Sequence, residues 1–218
     1  MRILFTILAT LFAMGVQAQT TFEHFTAEDE WPAFGVYPNL APNIVEPGEF
    51  FCTGGGDPSG VFECDGGNGI HIRGTQMVSC TTASQPYDWR VEGAVWFDIA
   101  ANWDAGYTGP VSGNWRIVPD PNCDLMVLFN PDVDTFWMGT YTGKREFVMG
   151  PGIPRWITTL KLVGYGFGSL AGQKIKATEV ITTYSPVPLP WELLPEALQA
   201  IIGTGPEGQV EMTIITEY

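Results

Sequence analysis

Positive charge is scarce in this chain. Its 218 residues carry 10 Lys and Arg against 24 Asp and Glu, and the sequence pI is near 4.3. That shortage excludes a basic nucleic-acid footprint, so no nucleic-acid partner is expected. Histidine is almost missing: His24 reads as solvated and His71, between isoleucines at a strand start, as structural. No GxSxG, HExxH or GxxxxGK[ST] run occurs, which removes the common signatures of hydrolases, zinc proteases and phosphate loops. There is no CxxC pair, and the cysteine spacings are too wide for a four-thiolate zinc site. No cofactor and no metal is expected. After the first 18 residues no run is long and apolar enough for a membrane helix, so no span is expected in the mature chain. No linker divides the sequence and no repeat has a clean period.

What is present begins with an export signal. Residues 1–18 place Arg2 before an apolar run from Ile3 to Met14, then the small-x-small sequence Val16-Gln17-Ala18. The expected location is secreted or periplasmic, and no Cys follows the cleavage site to carry a lipid anchor. The mature chain keeps nine basic residues and all 24 acids, a net charge of −15, almost all of it before residue 144. Such acidity serves solubility. An even number of cysteines in an exported protein predicts disulfides at Cys52, Cys64, Cys80 and Cys123. Cys80 ends one strand and Cys123 follows the strand after next, so both lie at one end of the sheet. The pairing expected is Cys80–Cys123, which leaves Cys52–Cys64.

The stretch 156–184, WITTLKLVGYGFGSLAGQKIKATEVITTY, reads as an antiparallel hairpin. Trp156, Thr158, Leu160, Leu162 and Gly164 alternate with Ile157, Thr159, Lys161, Val163 and Tyr165. Ile175, Ala177, Glu179 and Ile181 alternate with lysines, threonines and Val180. Period two with β-branched and aromatic residues is the strand signal. The connection Gly166-Phe-Gly-Ser-Leu-Ala-Gly172 is too long for a two-residue turn and predicts an open or bulged one. Its Gly-aromatic-Gly-x-Leu-x-Gly pattern resembles the small secreted β-barrels of the allene oxide cyclase and dirigent group. That resemblance implies a closed antiparallel barrel around a hydrophobic cavity. It carries over no catalytic residue.

Further strands are expected at 61–64 and 69–79, forming a hairpin, then at 90–99, 113–118, 136–147 and 209–218. His71, Arg73 and Thr75 are expected on one strand face. Residues 119–134 read as a Pro- and Asp-rich loop and 195–202 as a short helix. The fold class is therefore all-β: an antiparallel β-barrel or sandwich of seven or eight strands with one short C-terminal helix. The domain organisation expected is a signal peptide at 1–18, an irregular N-terminal arm at 19–49 and a β-barrel domain at 50–218.

Glu179 is the one acid on the apolar face of the hairpin. Buried bare it would be costly, so it must be paired, hydrogen-bonded or protonated. Arg116 and Arg145 are its candidate partners, and Glu92 and Asp98 are further candidate carboxylates. Asp120, Asp124 and the run 130–134 could gather oxygen ligands for calcium, but they lack the EF-hand order and read as solvated turns. Trp96, Trp115, Trp137, Tyr141, Arg145 and Glu179 are the expected lining of a ligand site. The first functional reading is a secreted barrel that binds a small apolar molecule in its interior. The alternatives are a cyclase- or isomerase-type enzyme using a cavity carboxylate, and a structural or surface-interaction protein with a filled core. An outer-membrane barrel, suggested by the alternating last strand, is disfavoured by the prolines and cysteines. No catalytic residue is assigned, and the oligomeric state is open.

The export signal generates one test. The protein is expected in the medium or in the osmotic-shock fraction. Co-fractionation with outer membranes, with altered migration when unboiled, is the contrary result.

Overall fold

Alternation builds strands here because every second side chain can be buried while its neighbours stay in water. The computed structural model describes residues 19–30, 44–46, 49–53, 58–59, 63–64, 69–104, 106–148, 155–184 and 207–217. Among them are β1 (Thr20–Glu30), β2 (Ile44–Glu46), β3 (Glu49–Thr53), β4 (Pro58–Ser59), β5 (Glu63–Cys64) and β6 (Gly69–Gln85). There follow β7 (Gly93–Asp104), β8 (Gly109–Pro119), β9 (Phe136–Val148), β10 (Arg155–Phe167), β11 (Gln173–Tyr184) and β12 (Glu207–Glu217). From β6 to β12 each strand pairs antiparallel with the next. β1 then lies between β12 and β6, so eight strands form a ring. The ring is not a regular barrel, because the β1–β6 seam is short and its register shifts between Thr26 and Glu28. The all-β expectation holds. No helix is long and apolar enough to cross a membrane among the described residues, and the expected helix at 195–202 lies outside them.

Several local expectations are corrected. The arm expected to be irregular opens with the 11 residues of β1. The expected 61–64/69–79 hairpin does not form: β5 pairs with β4, and the start of β6 pairs with β3. The reason is the length of β6, 17 residues, whose outer edge needs partners throughout. β3 covers it at 69–73, β2 at 76–77 and β1 at 80–85. His71, Arg73 and Thr75 do not share a face either. The β6–β7 register shifts between Ile72 and Thr75, Gly74 adopts φ +68°, and both Ile72 and Thr75 are buried. A bulge of this kind exchanges inside for outside along a strand.

Inward-facing residues of all eight strands make one core. Trp115 and Trp137 are its largest fully buried side chains. A glycine makes room for Trp115, which stands opposite Gly139, itself opposite Gly164. A Cβ at Gly164 would lie 2.6 Å from Trp115 Cζ2 and 2.7 Å from the Met138 carbonyl. Each indole finds a backbone acceptor, Trp115 Nε1 donating to Thr140 O at 3.1 Å and Trp137 Nε1 to Arg90 O at 2.7 Å. One end of the ring is plugged by the turn before β7. Val91 is buried there, and Arg90 pairs with Asp88 and with Glu23 of β1, both at 2.6 Å.

A second, smaller cluster lies outside the ring. The expected loop at 119–134 contains a 3-10 turn, Leu125–Phe129, whose Leu125 and Leu128 cover Val78, Ala94 and Val118 on the outer face of β6–β8. The Cys80–Cys123 disulfide, with Cα atoms 5.9 Å apart, ties that loop to β6. This bridge is the one expected. The side chains of Cys52 and Cys64 lie outside the described set.

Two outcomes follow. Replacing Cys80 and Cys123 together by Ala is expected to lower unfolding stability by ~2–4 kcal/mol, read from urea midpoints. Gly164→Ala is expected to destabilise by ~1–3 kcal/mol through overpacking against Trp115, with a blue-edge change in tryptophan fluorescence.

Candidate functional site

β11 turns Ile175, Ala177, Glu179 and Ile181 to the interior, and Glu179 is only 2% exposed. Its cross-strand neighbours are Leu160 on β10 and Val210 on β12. One strand further round, β1 turns Phe25, Ala27 and Asp29 inward, and Asp29 is 3% exposed. Gly208 of β12 stands between them, opposite both Asp29 and Ile181. A Cβ on Gly208 would come within 2.7 Å of Asp29 Cβ and 3.1 Å of Glu179 Oε1. The missing side chain is therefore the space through which the two carboxyl groups meet.

Among the described residues no Arg, Lys or His neutralises this pair. Asp29 Oδ1 and Oδ2, Glu179 Oε1 and Ser79 Oγ are buried without a hydrogen-bond partner. Burial pushes the Asp29 carboxyl up, offset in part by the nearby Glu179, Ser79 and Thr81 side chains. Burial also raises Glu179 well above the usual carboxylate range, and the Asp29 charge adds to the rise. Two ionised carboxylates are both acceptors, so they bond only when a proton lies between them. Burial raises both groups, so the pair is relieved when one proton is held between the two carboxyls. Burial raises the Tyr141 phenol, and the Asp98 and Glu179 carboxyls add to the rise.

Between Asp29, Glu179, Trp115 and Met212 lies a cavity of about 20 Å³, room for one water molecule. The pair can exchange a proton with a trapped water. It has no space for an organic substrate. The larger concavity, about 360 Å³, lies on the outer wall across β1, β12 and β11, lined in part by His24, Thr26, Lys176, Thr178, Glu211 and Thr213. There His24 Nδ1 lies 2.9 Å from Thr213 Oγ1.

Of the expected site residues, Trp115, Trp137, Tyr141, Arg145 and Glu179 are brought into the interior and Trp96 is not. Trp96 faces outward and donates to Gln76 Oε1 at 3.1 Å. Neither expected arginine is the partner of Glu179. Arg116 lies on the outer face over Phe136, 4.1 Å from the ring centroid, and Arg145 lies over Trp103 at 4.7 Å. Glu92 accepts from Ser84 N and Oγ, both at 2.7 Å, and Asp98 accepts from Asn114 on the outer face. The acidic loop forms turns: Asp120 accepts from the backbone N–H of Asn122 and Asp124, and Asp124 from that of Met126. No group of three or more potential metal ligands occurs among the described residues.

Asp29 is the residue that sequence reasoning missed. The alternation Phe25, Ala27, Asp29 was available, but the prolines that follow at 32, 38, 42 and 47 mark the whole arm as irregular. No protein family matches the chain, and no curated protein or solved structure resembles it. The class is therefore set by architecture: an all-β ring of eight antiparallel strands with a buried acid pair.

The pair makes stability depend on pH. Both groups have native pKa values above their unfolded ones, so the native state binds more protons from about pH 4 upward. Stability is greatest while the pair is protonated and declines as pH rises through the raised native values. The double variant Asp29→Asn/Glu179→Gln is expected to gain ~1–3 kcal/mol on the parent between about pH 4.5 and pH 7.5. Urea midpoints at the two pH values measure this, and parallel curves for both proteins contradict it.

Proposed function

We propose that this is an exported β-barrel with a filled core that works through its outer surface. The observation that supports this most directly is the interior itself. Trp115, Trp137, Tyr141, Leu160, Leu162 and Ile214 belong to one packed core, and the cavity beside Trp115, Leu162 and the acid pair is about 20 Å³. Pockets that hold small molecules are usually larger by an order of magnitude. The apolar-ligand reading and the cyclase reading both need a larger volume than this cavity supplies. The outer wall is less ordinary. Met138, Val163, Tyr165 and Phe167 of β9 and β10 are exposed side by side, and Phe136 and Phe167 stack with centroids 4.8 Å apart. Exposed apolar groups gathered in one place mark contact surfaces.

Native mass spectrometry of the protein from its own producer tests the reading. The bare polypeptide mass is expected. A co-purifying apolar molecule that quenches the buried tryptophans overturns it in favour of interior binding.

A further inference from the structure

The chain has only four lysines, Lys144, Lys161, Lys174 and Lys176. All four project from the outer face of three consecutive strands, β9, β10 and β11. Exposed Val163 stands opposite Lys176, and exposed Tyr165 opposite Lys174. In a protein with 24 acids this stripe carries one exposed acid, Glu146, which pairs with Lys144 at 2.6 Å. The next two strands round the ring, β12 and β1, carry no Lys or Arg. Their outer faces present Glu28, Glu30, Glu211 and Glu217, all exposed. Lys174 and Glu217 bridge the seam at 2.9 Å. Among the described residues, Lys161 and Lys176 have no acidic partner in their own chain.

We infer that this wall pairs with the same wall of a second copy. A two-fold axis along the seam between β11 and β12, parallel to the strands, sets the lysine stripe of each copy against the acidic stripe of the other. Adjacent stripes of opposite sign are self-complementary under that operation, the commonest symmetry of soluble oligomers. Opposed charges alone contribute little on an exposed wall. Here Val180, Val163 and Tyr165 on one stripe and Phe22 on the other, each more than a third exposed, supply apolar area between them. The concavity lined by Lys176, Glu211 and His24 lies at the seam and would be covered. The inference rests on the outer wall being the working surface, and it names the partner.

Sedimentation of the exported protein tests it. A dimer that weakens with salt is expected. Lys161→Glu/Lys176→Glu is expected to raise the dissociation constant about 100-fold or more, as is Glu28→Lys/Glu211→Lys. Mixing the two reversed proteins is expected to restore a heterodimer, because each then presents one sign of charge to the other. Circular dichroism confirms that both variants fold. A monomer at all concentrations and low salt overturns the inference, and so does a dimer indifferent to both reversals. If the monomer instead binds an anionic polymer through the lysines, self-pairing fails while the outer-surface reading stands. An interior ligand found by mass spectrometry removes that reading without touching the sedimentation result.

Discussion

The pairing of β1 with β12 on one side and β6 on the other is the constraint on which the rest of this structure depends. Strands β6 to β12 form a meander that any chain of hairpins could make, and a meander has two open edges. Each open edge exposes a row of unpaired N–H and C=O groups. β1 joins the two edges, its full length against β12 and its later half against the end of β6, while β3 and β2 cover the rest of β6. Closure also plugs the ring, since Glu23 on β1 completes the environment of Arg90 and Phe25 lies beneath that guanidinium.

Closure has a second consequence, which is electrostatic. It carries Asp29 across Gly208 to Glu179 in an interior packed with tryptophan, tyrosine and aliphatic side chains. Ionised carboxylates in such surroundings lose their hydration without gaining a cation. One shared proton removes most of that penalty, because it converts two repelling acceptors into a donor and an acceptor. The packing explains why no larger relief is found. Gly164 leaves room for the Trp115 ring, and the cavity beside the acid pair amounts to one water.

The close packing around the acid pair shifts attention to the wall. The acidity of the chain is not spread evenly. Cations gather on β9–β11 and the neighbouring β12–β1 wall is acidic, a polarity that solubility alone does not require. Exposed aromatic and aliphatic groups lie in the same region as the lysines. Such a mixture gives orientation through charge and affinity through apolar contact.

Much of this was legible in the residues. The 156–184 hairpin has the strands, faces and glycine connection that its alternation predicts, with Gly168 and Gly172 at φ +62° and +85°. Glu179 was recognisable as an acid on an apolar face, and strand directions identified Cys80–Cys123. These features are local, or follow from counting strand reversals. The partner of Glu179 was not legible, because Asp29 lies 150 residues away and reaches it only when the ring closes. Nor were the β3–β6 pairing, the exchange of faces at Gly74 or the outward direction of Trp96. By itself the sequence determined which residues alternate, where the chain turns and what compartment chemistry its cysteines suit. Only the tertiary structure decided which face is inside, which strands meet and which charges are left on one wall. Alternation repeats every two residues along a strand, whereas strand partnership is set by closing backbone hydrogen bonds across the whole chain.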